Sequence, residues 1–77
     1  MNRYFVDSSA FLSVGYDEST QTLEIEFHDG DIYQYYHVPS IVYRDLLKAP
    51  SSGQYFAFFI KPTYQWHKVF AASNPHG

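Results

Sequence analysis

The sequence predicts an α+β fold: a three-stranded antiparallel β-meander followed by two short α-helices packed on one face of the sheet. Three observations carry this. Residues 22–28 alternate with a period of two, so Leu23, Ile25 and Phe27 share one face while Thr22, Glu24 and Glu26 share the other, which is expected to be wet. The run Ile32-Tyr33-Gln34-Tyr35-Tyr36-His37-Val38 is aromatic and β-branched, as strands favour, and it stops at Pro39. Proline cannot extend a ladder but presets the φ of a helix's first turn. Beyond it the period becomes helical, with Val42, Tyr43, Leu46 and Leu47 on one stripe.

Taken in order, the first nine residues form no clear element. Tyr4, Phe5 and Val6 either pair at a sheet edge or fray, and Ser8 and Ser9 break the pattern. Residues 10–17 read as the first strand, with Leu12, Val14 and Tyr16 on one face and Ser13 and Gly15 on the other. Residues 17–21 are polar and turn-like. Asp29-Gly30 marks the turn after the second strand, because glycine takes a positive φ at no steric cost. A two-residue loop there sets Ile25 beside Gln34. A three-residue loop, His28-Asp29-Gly30, sets Ile25 opposite Tyr33, Leu23 opposite Tyr35 and Glu24 opposite Gln34. A one-residue slip turns every side chain over, so the hydrophobic pattern selects the three-residue loop. Tyr33 and Tyr35 then face the core, and Ile32, Gln34 and Tyr36 face outward.

The first helix is expected over residues 39–49, with Arg44, Asp45 and Lys48 on its wet side and Pro50 ending it. Ser51 with Gln54 three positions later makes a capping-box pattern for a second helix. Its buried face is expected to be Tyr55, Phe56, Phe59 and Ile60; a strand over the same residues is the alternative. Residues 63–69 read as extended or irregular, and residues 71–77 as a disordered tail.

With 77 residues, one domain is expected over 1–77, its core spanning about 8–68. Such a chain buries only roughly 60–65% of its unfolded surface. It has no cysteine, so neither disulfide nor thiolate-bound metal compensates. Eight tyrosines, seven phenylalanines and Trp66 supply apolar area instead. A net charge of −3 argues against broad electrostatic capture of nucleic acid, while leaving room for a local basic patch. No leader segment and no long apolar run is visible, so a soluble, cytoplasmic protein is expected.

An ordered set of residues resembles a known family. It comprises Ser9, Gly15-Tyr16-Asp17, Leu23-Glu24-Ile25-Glu26-Phe27, Gly30, Tyr33-Gln34-Tyr35, Val38-Pro39, Val42-Tyr43, Leu46-Leu47, Ala49, Ser51, Gly53, Tyr55-Phe56, Ile60 and Tyr64. In this the chain resembles the KTSC domain, named for its place at the C-terminus of some lysine–tRNA synthetases and also found as single-domain bacterial and phage proteins. The resemblance implies a fold first, and RNA binding as the expected role. Two positions depart from the family pattern: Ala57 stands where asparagine is common, and Lys61 where arginine is common. Lysine lacks the planar fork that arginine offers to phosphate.

The candidate nucleic-acid-binding residues are Tyr33, Tyr35, Arg44, Lys48, Lys61, Tyr64, Trp66 and Lys68. Tyr33 and Tyr35 read either as a base-stacking platform or as a core-facing pair, and the register favours the core. Arg44 and Lys48, four apart, share a helix face and are expected to form a small basic patch with Lys61 and Lys68 beside Tyr64 and Trp66. His28, His37, His67 and His76 have unrelated spacings, so no metal and no cofactor is expected. No nucleophile–base–orienter set is visible, and no enzyme is expected. The leading expectation is a small non-enzymatic binding module for RNA. The alternative is a protein-interaction or homodimerisation module using the free meander edge or an apolar patch of Ile32, Tyr36 and the tail's rings.

Overall fold

The computed structural model of the chain describes residues 3–5 and 10–72. The expectations for Val6, Ser8, Ser9 and His76, and for the tail beyond Ala72, lie outside the described residues. Five strands are present: β1 Arg3–Phe5, β2 Phe11–Asp17, β3 Thr22–Phe27, β4 Ile32–Tyr35 and β5 Trp66–Phe70. They form one antiparallel sheet in the order β1-β2-β3-β4-β5. The meander predicted from sequence is its centre, and the expected count of three is corrected to five. β1 is too short to show a period. β5 lacks one because all five of its residues are exposed and its register shifts beside Tyr33, leaving Val69 unpaired. The meander therefore has no free edge: β1 covers one side and β5 the other.

The hairpin between β3 and β4 has the three-residue loop. Gly30 N donates to Phe27 O and Phe27 N to Asp31 O, both at 2.9 Å. Gly30 has φ +94°, the left-handed value this turn requires. Ile25 lies opposite Tyr33, Leu23 opposite Tyr35 and Glu24 opposite Gln34. In β2 the expected face is partly wrong. The ladder passes from Phe11↔Phe27 to Ser13↔Glu26, so Leu12 is a bulge. Phe11, fully buried, takes the core place expected of Leu12 and joins Val14 there.

The first helix, α1, is Ser40–Lys48, with Pro39 as its N-cap in extended geometry. The chain bends before it at His37, which has φ +59°. Leu46 is fully buried and Val42 and Tyr43 pack against the core, but Leu47 is 41% exposed and leaves the expected stripe. The second helix, α2, is Ser52–Tyr55, and Ser51 Oγ caps it by accepting from Gln54 N at 3.3 Å. It widens into one π-helical turn, Phe56–Ile60, closed by Lys61 N donating to Phe56 O at 2.9 Å. The strand alternative is thereby excluded. The wider turn brings residues four apart into line and swings the third away. Phe56 and Ile60 are buried, whereas Phe59, expected inside, is 58% exposed.

The core comprises Phe11, Val14, Leu23, Ile25, Tyr35, Val38, Leu46, Phe56 and Ile60. Phe56 is its hub. It meets Phe11 of β2 at 5.8 Å, Phe27 of β3 at 5.9 Å and Tyr35 of β4 at 5.4 Å, all edge to face. Tyr43 of α1 stacks on Tyr16 of β2. Thus α1 covers the β1–β2 side and the π-turn covers β3 and β4. The opposite face of the sheet is not the wet strip expected of Glu24 and Glu26. Arg3 of β1 pairs with Glu24 and donates to Ser13 Oγ, Ser13 donates to Glu26, and Gln34 donates to Glu24 at 2.9 Å. This network ties four strands together.

Candidate functional site

The exposed aromatic surface gathers at β5. Antiparallel pairing sets Tyr33 opposite Lys68 and Tyr35 opposite Trp66, which places Trp66 and Lys68 on the helix-bearing side of the sheet, at its margin. The Tyr33 and Trp66 rings meet at 5.2 Å with 51° between planes. Lys68 Nζ lies 5.5 Å from the centre of the Tyr33 ring, within cation–π reach. Trp66 remains 53% exposed.

Asp31 holds this corner together. It is 8% exposed. Its Oδ2 lies 3.2 Å from Lys68 Nζ, and its Oδ1 accepts from Ala72 N at 2.9 Å. The hydrogen bond and charge of Asp31 raise the Lys68 pKa above its ordinary value. The chain after β5 also presses on the hairpin: a Cβ on Gly30 would sit 2.6 Å from Ala72 Cβ. Residues 71 and 72, expected to belong to a disordered tail, are thus docked.

Lys61, Tyr64 and Trp66 line an open hollow together with Tyr36 and His67. Tyr64 is set there by the exit from the π-turn, its N–H donating to Ile60 O at 3.1 Å. Of the candidate residues, then, the fold gathers Tyr33, Lys61, Tyr64, Trp66 and Lys68 at one end. Tyr35 is only 3% exposed and belongs to the core; burial, followed by the neighbouring Tyr33 phenol, pushes its pKa up to about 12. Arg44 is not brought to this corner. It sits on α1 beside Tyr4 of β1, where it donates to Ser40 Oγ at 3.4 Å, and Lys48 is the last residue of the same helix. The expected union of all four cations is corrected at Arg44, which lies beside β1 at the sheet edge opposite β5.

Among the described residues, no three histidine, aspartate or glutamate side chains gather as a metal site. Among the described residues, no helix is long and apolar enough to cross a membrane. Sequence reasoning missed the roles of Asp31 and Arg3. Asp31 lies between the Asp29-Gly30 turn and the strand that starts at Ile32, where no pattern singles it out. Arg3 lies in a segment with no period.

The KTSC domain profile matches residues 7–64, and the chain belongs to that family. It is 41% identical over 63 residues to a lysine–tRNA ligase of Nostoc punctiforme, a match covering 82% of this chain and 11% of the ligase. The chain thus spans about a tenth of the length of the ligases it matches. An uncharacterized protein of Stutzerimonas stutzeri is 42% identical over 64 residues, covering 83% of this chain and 90% of that protein. The crystal structure of a KTSC domain protein from Yersinia pestis superposes with a TM-score of 0.84 at 37% identity, covering 90% of this chain and 97% of that one.

Proposed function

We propose that this domain is a non-enzymatic recognition module that binds single-stranded RNA at the β5 corner. The observation that carries the reading is the convergence of Tyr33, Tyr64 and Trp66 with Lys61 and Lys68, from three separate parts of the chain. Stacking on an exposed ring contributes about 1–3 kcal/mol per base and tolerates any sequence. The occurrence of related segments in lysine–tRNA ligases supports RNA as the ligand class. The net charge of −3 and the pairing of Lys68 with Asp31 limit phosphate attraction, so affinity is weak and comes mainly from the rings.

The experiment is an NMR titration with a short oligouridylate at low salt. Shifts confined to Tyr33, Lys61, Tyr64, Trp66 and Lys68 are expected. An unchanged spectrum overturns the reading.

A second reading, a protein partner or a second copy, is favoured by the exposure of all of β5, including Trp66, Val69 and Phe70. Strand pairing at that edge is opposed by the Val69 bulge and by Lys68, both devices that discourage edge addition. An apolar interface there would show little salt response and a mass that rises with concentration.

A further inference from the structure

Arg44 lies apart from the β5 corner, and its surroundings have a chemistry of their own. A hollow of about 330 Å³ at the β1 side of the sheet is lined by Tyr4, Tyr16, Glu18, Ser40, Tyr43 and Arg44. Within its lining the Tyr16 and Tyr43 rings stack at 4.8 Å, only 11° from parallel. The Tyr16 hydroxyl is spent on the Val38 carbonyl. Tyr4, 54% exposed, forms a side wall.

The same lining carries two opposite charges, Arg44 and Glu18. Both are close enough to the Tyr16 phenol to act on its ionisation, in opposite senses. Among the described residues they make no ion pair with one another, since the pairs there join Arg3 to Glu24 and Lys68 to Asp31. Arg44 is steadied instead by Ser40.

This arrangement selects against simple ions. A phosphate or carboxylate alone, drawn to Arg44, meets Glu18; an ammonium alone, drawn to Glu18, meets Arg44. A molecule carrying both charges a few bonds apart satisfies the two together, and the tyrosine rings of the same lining accept an apolar body. We propose that the hollow binds a free α-amino acid with an apolar side chain. Its carboxylate sits on the Arg44 guanidinium, whose planar fork matches a carboxylate. Its ammonium sits by Glu18 and the tyrosine rings, where cation–π attraction adds. The volume lies at the small end of the range for ligand pockets, as a ligand of this size requires.

The site is independent of the β5 corner, and its test does not involve RNA. The chain is titrated at neutral pH with L-phenylalanine, N-acetyl-L-phenylalanine and L-phenylalaninamide, and aromatic and amide NMR shifts are followed. The expected result is saturable, millimolar binding of the zwitterion, with shifts at Tyr4, Tyr16, Tyr43 and Arg44. The blocked compounds, each lacking one charge, should bind at least tenfold more weakly, as should Arg44→Gln and Glu18→Gln with the zwitterion. Both substitutions lie on the surface, and each variant's amide dispersion reports that it is folded. Absence of saturable shifts with L-phenylalanine overturns the proposal. So does equal binding of the N-acetyl compound, which would mark an anion contact at Arg44 alone.

Discussion

Phe56 is where the two layers of the molecule meet, and its neighbour two positions on shows how local the distinction is. Phe56 is 6% exposed and touches three strands, whereas Phe58 is 69% exposed. Phe56→Ala is expected to cost about 3–5 kcal/mol, enough to unfold a small domain. Phe58→Ala is expected to stay within about 0.5 kcal/mol. Urea midpoints of the two variants separate them. Gly30→Ala combines a left-handed φ with the close approach of Ala72, and an expected loss of about 1–3 kcal/mol follows from the strain. Tyr35 gives a pH signature. Its phenol titrates near 12 when folded against 10.0 ordinarily. The unfolded chain releases this proton first, so the stabilisation is complete below pH 10 and is lost as the pH rises towards 12. Lys68, raised by Asp31, acts in the same direction. Urea midpoints should therefore fall across that alkaline window. At this scale the sequence was legible where polarity and period agreed, as at Ile25, Tyr33 and Tyr35. It misled at Leu12 and Phe59, because a bulge and a π-turn each displace the period and neither has a composition signal.

Elements were legible in proportion to their periodicity. β3, β4 and α1 carry one face each, and all three stand where the alternation or the helical stripe puts them. β1 and β5 carry none. β1 is held chiefly by its ladder and by Arg3 on Glu24; β5 is held by its ladder and by Asp31. Asp31 grips β5 at Lys68 and Ala72, so Asp31→Ala is expected to loosen that strand without melting the meander. Amide hydrogen exchange should quicken for Tyr36, whose N–H bonds Gln65 O, and through residues 66–70. The amides of β3 should keep their protection. Equal acceleration in both would mean that β5 is part of the global unit. Ser51→Ala removes the cap on α2 and is expected to cost about 1 kcal/mol, read from the same urea curves.

The whole molecule carries a mixed group of rings and charges at each of two separate places. Rings and two lysines collect around β5, while Arg44 remains on α1 beside Tyr4 of β1. The sequence set all of them out in one basic-aromatic group, because spacing along the chain does not say which edge of a sheet a helix covers. Family membership was legible from the order of turns, cap and strand period, and the matches to lysine–tRNA ligases agree with it. The role of the β5 corner is the central claim, and Trp66, the single tryptophan of the chain, reports on it directly. Its fluorescence is to be followed as single-stranded RNA is added across a salt series. Saturable quenching is expected, with a slope of log K against log salt of about −1, as one or two phosphate contacts to Lys61 and Lys68 would give. Fluorescence that does not change with RNA at the lowest salt would contradict the account.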